Sequence, residues 1–107
     1  MKIDVERQNF VLANKTGGMS GPAVHPIAVR MVYECANAVN IPIIGMGGIS
    51  TYEDAIEFIL AGATGICVGT ANFFNPLATE EIIAGIEAYM KRKNVEDIND
   101  LIGLVNK

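Results

Sequence analysis

Residues 41–50 decide the fold, and they read Ile-Pro-Ile-Ile-Gly-Met-Gly-Gly-Ile-Ser. The first six form an apolar run of strand length, and a run without polar alternation is typical of a strand that is covered on both faces of a parallel sheet. Gly47 and Gly48 end that strand, and Ser50 and Glu53 have the spacing of a capping box, which begins helices. The stretch therefore predicts a buried strand, a glycine turn and a helix.

The same order of elements recurs further along the chain. The predicted helix stops near Gly62, and residues 65–68, Gly-Ile-Cys-Val, form a second buried strand that leads into Gly69 and Thr70. Two successive strand-to-helix units imply parallel strands joined by right-handed crossovers, an α/β fold that either a barrel or an open sheet would satisfy. A complete eight-fold βα barrel takes about 250 residues. We therefore expect residues 1–107 to form a single partial βα unit.

The segments on either side follow from similar patterns. Residues 2–5 and 10–12 predict a loose β-hairpin, and residues 14–22 are too rich in glycine for regular structure. Further helices are expected from Thr79 and after Asn94. Between the glycine-rich loop and residue 41 lies a helical pattern whose predicted inward face comprises Ile27, Ala28, Met31, Val32, Cys35, Ala36 and Val39.

Composition excludes several classes of protein. Of the 107 residues, 50% are hydrophobic, and the formal charge is −4 without a Lys/Arg cluster, so nucleic acid is not an expected partner. No apolar run approaches the roughly 20 residues that a membrane helix needs. The charged N-terminal residues lack the apolar core of a secretory signal. We therefore expect a cytoplasmic protein without a disulfide between its two cysteines.

The glycine turns predict an anion site. In a parallel sheet, the turns at Gly47–Gly48 and Gly69–Thr70 lie at the same carboxyl edge, where their amides can converge on one phosphate and Thr70 can add a hydroxyl donor. Ser20 and Gly21 belong to a third such loop upstream. The alternative is that each glycine merely permits a tight turn or close helix packing. The combination of two pairs on neighbouring strands favours phosphate binding.

Three of these segments resemble one family. Residues 14–23, 41–49 and 68–73 are similar, in order and spacing, to the C-terminal part of the class 1B dihydroorotate dehydrogenase catalytic subunit. The resemblance implies a portion of a TIM (βα)8 barrel from an FMN-dependent enzyme of pyrimidine biosynthesis, which oxidises dihydroorotate to orotate. It further implies a partner subunit that carries FAD and an iron–sulfur cluster.

The resemblance also assigns site residues. Gly21, Gly47, Gly48, Gly69 and Thr70 match the family's FMN contacts, mainly at the phosphate end. The family's catalytic cysteine, its lysine and its substrate-binding asparagines have no counterpart in residues 1–107. The resemblance therefore implies that these residues alone are inactive and bind FMN weakly or not at all.

Two other interpretations remain open. The chain could be a phosphate-binding βα module that associates with copies of itself or with a separate N-terminal piece. It could also be a half-barrel of another phosphate-binding enzyme. Because a partial barrel exposes strand edges and an apolar face, we expect a homo-oligomer with the strands near the interface.

The remaining reactive side chains have simpler explanations. Cys35 and Cys67 are interpreted as buried, small hydrophobic residues rather than catalysts. His25 is expected to be a surface or capping residue, and Glu53, Asp54 and Glu57 are expected on a solvated helix face. Met19 and Met46 flank the glycine loops and could pack against a flavin ring.

Overall fold

A computed structural model describes residues 1–106, which begin with an antiparallel hairpin. Strand β1 (Ile3–Asp4) pairs with strand β2 (Asn9–Phe10). Asp4 holds the turn, because its Oδ1 accepts hydrogen bonds from the backbone N–H groups of Glu6 and Arg7 at 3.1 and 3.0 Å. The predicted hairpin is confirmed, with strands of only two residues each.

Two parallel strands and two helices make the centre of the fold. Helix α1 (His25–Ala38) leads to strand β3 (Ile44–Met46), and helix α2 (Tyr52–Ala61) connects it to strand β4 (Gly65–Cys67). The two strands pair in parallel, with Ile44 opposite Gly65 and Met46 opposite Cys67. The predicted mixed α/β arrangement with parallel strands is therefore confirmed. Strand β3 begins later than residue 41, because Pro42 has no N–H to donate to a sheet.

Helices follow the second parallel strand. Helix α3 (Ala71–Phe74) is one turn long, and helix α4 (Ala78–Lys93) begins one residue before the predicted Thr79. Helix α4 ends at Lys93, and its C-cap residue Asn94 adopts the left-handed conformation with a φ of 53°. The single helix predicted after Asn94 is instead two 3-10 turns, Ile98–Leu101 and Leu104–Asn106. A third 3-10 turn, Pro22–Val24, precedes α1.

The core lies between the helices and one face of the parallel strands. Phe58 is fully buried at its centre, and a Cβ placed on Gly45 would lie 2.7 Å from Cδ1 of its ring. Strand β3 thus needs glycine at this position so that the α2 ring can pack on the backbone. The other buried members of this cluster are Ala28, Val32, Ile49, Ala55, Ala61, Ala63 and Ile82.

The opposite face of the strands is uncovered within the described residues. Ile44 and Met46 alternate with Gly45 and are 55% and 59% exposed, and Cys67 on the neighbouring strand is exposed as well. The helices of residues 1–106 pack on one face only, so strands patterned for coverage on both faces show here the open apolar face expected of a partial barrel. Cys67 is consequently not the buried residue that its apolar neighbours suggested.

Helix α1 shows the same division. Ala28 and Val32 are buried against the core, whereas Ile27, Met31 and Cys35 form an exposed stripe at a spacing of four residues. The apolar face expected on this helix therefore has two parts, and only one is covered. The expectation that Cys35 is buried is wrong for this reason.

The start of α2 uses a capping box one residue later than predicted. The N-cap is Thr51, whose Oγ1 accepts from the amide of Asp54 at 3.4 Å, rather than Ser50 with Glu53. The Asp54 carboxylate in turn accepts from the amides of Ser50 and Thr51 at 2.8 and 2.9 Å.

In residues 1–106, no helix has both the length and the apolarity that crossing a bilayer would require.

Candidate phosphate-binding cleft

A cleft of about 720 Å³ lies at the carboxyl ends of β3 and β4. The loop before α1 and the loops after both strands form its walls, as expected for ligand sites at the ends of parallel strands. The structure brings all five predicted site residues to this cleft, namely Gly21, Gly47, Gly48, Gly69 and Thr70. Their convergence follows from the parallel register, which sets the two strand ends side by side.

Three of these glycines are required by the backbone itself. Gly21, Gly47 and Gly48 have φ values of 89°, 129° and 66°, which side chains of L-residues rarely adopt. A Cβ on Gly48 would also lie 2.6 Å from the carbonyl oxygen of Gly21 and 2.9 Å from Cβ of His25. The loop after β3 therefore packs directly against the loop that precedes α1.

Gly69 differs from these three. Its φ lies outside the left-handed region, and a Cβ built there would have no heavy atom within 4 Å among the described residues beyond its chain neighbours. Neither a tight turn nor close packing within residues 1–106 accounts for glycine here. The residue does line the cleft, so a Cβ would project where a ligand could approach the backbone.

The loop after β4 offers backbone donors. In α3, the amide of Asn72 donates to the carbonyl of Gly69 at 3.1 Å, and the amide of Phe73 donates to that of Thr70 at 3.0 Å. The N–H groups that precede these two at the helix start have no partner within the helix. They are the groups that an anion in the cleft could engage.

The side chain of Asn72 stabilises this loop through hydrogen bonds. Its side-chain amide donates to the carbonyl oxygens of Val68 and Gly69 at 3.0 and 3.2 Å, and its Oδ1 accepts from the hydroxyl of Thr79 at 3.2 Å. The loop is thereby fixed to the first turn of α4. Sequence reasoning missed this role, although asparagine in a first helical turn is a recognisable local signal.

The start of α2 is not open to the cleft. A helix that follows a glycine loop can attract an anion to its positive end, but Asp54 already occupies this end by accepting from the amides of Ser50 and Thr51. A carboxylate at this place offsets the positive end of the helix dipole. The loop after β3 can therefore contribute its glycine amides but not an open helix terminus.

Glu53 lies on the exposed face of α2, as predicted. Its pKa is lowered, chiefly because its carboxylate accepts a hydrogen bond from its own backbone amide and also because Tyr52 bonds to it. The same bond to Glu53 is the main reason that the pKa of Tyr52 is raised. Tyr52 packs toward the core and against Gly85 of α4, Glu53 is exposed, and neither lines the cleft.

His25 occupies an unexpected position behind the loop after β3. It is buried, with Nδ1 3.1 Å from the carbonyl oxygen of Gly47 and Nε2 3.1 Å from Oε2 of Glu57. Its ring meets the ring of Phe58 edge-on at 5.1 Å. The expectation of a surface histidine is therefore wrong. Glu57 is exposed, as expected of a solvated helix face, whereas Asp54 is partly buried. The hydrogen-bond partners of His25 lie 22 and 32 residues away, so no local pattern could have revealed them.

The lining of the cleft combines apolar side chains with hydrogen-bond donors. Met19, Met31, Met46 and Phe74 supply apolar surface, while the glycine amides and Thr70 supply donors. The described lining residues include no Lys, Arg, His, Asp or Glu. An anion here would be held by backbone amides rather than by a basic side chain, as in other glycine-rich phosphate sites.

Comparison with known proteins agrees with this architecture. The family model described as "Dihydroorotate dehydrogenase" matches residues 1–90, and the chain belongs to the dihydroorotate dehydrogenase family. The catalytic subunit of dihydroorotate dehydrogenase B (NAD(+)) from Lachnoclostridium phytofermentans is 68% identical over 105 residues, which are 98% of this chain and 35% of that protein. The corresponding subunit from Alkaliphilus oremlandii is 62% identical over 103 residues, or 96% of this chain and 34% of that protein. The chain thus spans about a third of the length of these relatives.

Solved structures show the same likeness. The dihydroorotate dehydrogenase of Eimeria tenella in complex with ferulenol superimposes with a TM-score of 0.80 at 26% identity, over 91% of this chain and 27% of that one. The ligand-free form from the same organism gives a TM-score of 0.79 at 27% identity, over 90% of this chain and 28% of that one. The described fold is therefore shared with a contiguous part of dihydroorotate dehydrogenases.

Proposed function

We propose that this chain is the FMN phosphate-binding, C-terminal portion of a class 1B dihydroorotate dehydrogenase. The whole enzyme would oxidise dihydroorotate to orotate in de novo pyrimidine (UMP) biosynthesis, and the chain would supply the last strands of its TIM (βα)8 barrel. The observation that carries the proposal is the convergence of Gly21, Gly47, Gly48, Gly69 and Thr70 on one cleft at the ends of parallel strands. In barrels of this kind, the loops after the last two strands are a recurrent phosphate site.

The cleft fits the phosphate end of FMN. The open space over Gly69 would admit phosphate oxygens to its backbone. The Gly47–Gly48 loop, at the neighbouring strand end, would donate its amides, and Thr70 would add its hydroxyl. Binding through amides requires no basic side chain, in agreement with the lining of the cleft.

The apolar residues that line the cleft suit the flavin ring of the cofactor. Met19 and Met46 line the cleft and are 61% and 59% exposed, so both side chains are available to pack on a ring. When bound, FMN supplies the acceptor for the hydride that leaves dihydroorotate. The role of residues 1–106 is then to hold its phosphate and to exclude water from one side of the ring.

The catalytic base is expected elsewhere in the whole protein. The described lining of the cleft contains no Lys, His, Asp or Glu. It does include Cys67, but this cysteine lies on strand β4, which is not the position of the catalytic cysteine that the family resemblance implies. We therefore expect residues 1–107 alone not to oxidise dihydroorotate. Their affinity for FMN should be low, because ribityl and most ring contacts would come from other parts of the barrel.

Two partners belong to this proposal. The relatives are catalytic subunits of an NAD(+)-linked enzyme, and the family resemblance implies a second subunit that carries FAD and an iron–sulfur cluster. A homo-oligomer is the other expected partner, because Ile44 and Met46 leave an apolar sheet face exposed. The same face supports the alternative function, a self-associating phosphate-binding module without oxidoreductase activity.

Binding measurements on the full 107-residue chain test the proposal. FMN and riboflavin are titrated in parallel, because they share the ring and the ribityl chain and differ only in the phosphate. We expect FMN to bind at least tenfold more tightly than riboflavin, and inorganic phosphate to compete with it. Equal affinity for FMN and riboflavin would contradict phosphate recognition.

A pair of glycine substitutions locates the site. Gly69→Ala should abolish the preference for FMN without loss of stability, because its new methyl group would meet only the approaching phosphate. Gly18→Ala is the matched control, since Gly18 also has open space and an ordinary φ but lies outside the lining of the cleft. Equal FMN affinity in both variants would place the phosphate elsewhere.

A further inference from the structure

We propose that His25 is a positioning residue that orients the Gly47–Gly48 peptide for anion binding. The inference rests on the proposed phosphate site and assigns a role to a side chain that does not line the cleft itself. His25 links three elements, because it begins α1 and contacts the carbonyl of Gly47 after β3 and the carboxylate of Glu57 on α2. Only 8% of the residue is exposed.

The hydrogen-bond partners define the protonation of its ring. A backbone carbonyl can only accept, so Nδ1, 3.1 Å from the Gly47 oxygen, must carry a hydrogen. Nε2 lies 3.1 Å from Oε2 of Glu57, which is the second polar contact of the ring. The geometry therefore assigns a hydrogen to Nδ1, and the positioning role requires no more than this.

The His25 ring is enclosed on several sides. Besides Glu57, Oδ1 of Asp54 lies 3.7 Å from Nε2, while Oδ2 of Asp54 is engaged by the amides at the start of α2. The ring of Phe58 meets the His25 ring edge-on from the core. Because the His25 ring does not line the cleft, its contribution to anion binding is geometric.

The orientation follows from the planarity of the peptide unit. The carbonyl of Gly47 and the N–H of Gly48 belong to one trans peptide, in which they point in opposite directions. Since His25 holds the carbonyl oxygen on its own side, the N–H points away from His25, toward the cleft that Gly47 and Gly48 line. Glycine tolerates both signs of φ, so the peptide between two glycines would otherwise be free to flip. His25 removes that freedom.

Two isosteric variants separate the two contacts. In His25→Asn the amide nitrogen can replace Nδ1 and retain the bond to Gly47, whereas in His25→Gln it can replace Nε2 and retain only the bond to Glu57. We expect inorganic phosphate to bind His25→Gln about tenfold more weakly than wild type, roughly the effect of one lost hydrogen bond. His25→Asn should stay within about threefold of wild type. Equal affinities in the two variants would overturn the proposal.

The amide resonance of Gly48 reports on the orientation of the Gly47–Gly48 peptide, and a general loss of stability would not shift it. Without phosphate, its resonance should be shifted or broadened by exchange in His25→Gln and should stay close to wild type in His25→Asn. An unchanged Gly48 resonance in His25→Gln would overturn the positioning role. This readout does not depend on anion binding, so wild-type protein that fails to bind phosphate would contradict the proposed function alone.

The wild-type ring itself can be tested if either variant fails to fold. Nitrogen-15 spectra of His25 should show a hydrogen on Nδ1. A neutral tautomer with Nδ1 unprotonated would overturn the proposal, because the bond to Gly47 could not then form.

Discussion

Gly48→Ala is the substitution that most severely tests the packing of the cleft loops. Alanine at a φ of 66° costs about 1–2 kcal/mol, because Cβ crowds the backbone in the left-handed region. Its methyl group would also lie 2.6 Å from the Gly21 carbonyl oxygen and 3.1 Å from the His25 amide nitrogen. Both are backbone atoms that cannot rotate aside, and overpacking of this kind costs roughly 1–3 kcal/mol. The expected loss of unfolding free energy is therefore about 2–5 kcal/mol.

Chemical denaturation followed by circular dichroism measures this loss. A domain of this size has a free energy of unfolding of about 5–15 kcal/mol, so the variant should fold but should melt roughly 10–30 °C lower than wild type. Gly18→Ala should change the free energy of unfolding by less than about 0.5 kcal/mol, because its methyl group meets open space. A Gly48→Ala protein as stable as Gly18→Ala would refute the described contact between the two loops.

Three further predictions concern the helix cap, the exposed sheet face and the chemistry. Asp54→Asn should lower the free energy of unfolding by about 0.5–2 kcal/mol, because the amides of Ser50 and Thr51 lose a charged acceptor, and a melt unchanged from wild type would contradict this. Analytical ultracentrifugation at micromolar concentration should show a dimer or larger species. Ile44→Lys should disrupt this species, because Ile44 is 55% exposed on the open face of the sheet. A uniform 11.4 kDa monomer of the wild-type chain would disprove self-association. The chain with added FMN and dihydroorotate should reduce dye no faster than free flavin does. The reason is that positioning of substrate and base is worth about 7–11 kcal/mol of the activation barrier. Turnover above the free-flavin background would show that a catalytic base lies within residues 1–107.

Local patterns in the sequence were sufficient to predict the elements and the convergence of the loops. The apolar run at residues 41–46 and the glycines that follow it specify a strand that ends at a turn, whatever the rest of the protein does. Once β3 and β4 pair in parallel, the loops after them must share one edge of the sheet. The cleft was therefore predictable from order and spacing alone.

Burial and long-range contacts were harder to predict from the sequence. Ile44, Cys67 and Cys35 carry apolar side chains, and a pattern of hydrophobicity cannot say whether a covering layer lies within residues 1–106. His25 is anchored by an acceptor 32 residues away, which only the packing of α1 on α2 brings within reach. The capping box moved by one residue because Ser50-Thr51 and Glu53-Asp54 offer two equivalent registers, between which local pattern does not choose.

The central claim is that the glycine loops of this chain bind the phosphate of FMN, and amide chemical shifts test it most directly. Proton–nitrogen spectra of the 107-residue chain are recorded during titration with FMN and, separately, with riboflavin and inorganic phosphate. FMN and phosphate should both shift the amides of Gly47, Gly48, Gly69 and Thr70, and riboflavin should leave them in place. Shifts caused equally by riboflavin, or shifts from FMN confined to residues outside these loops, would contradict the account.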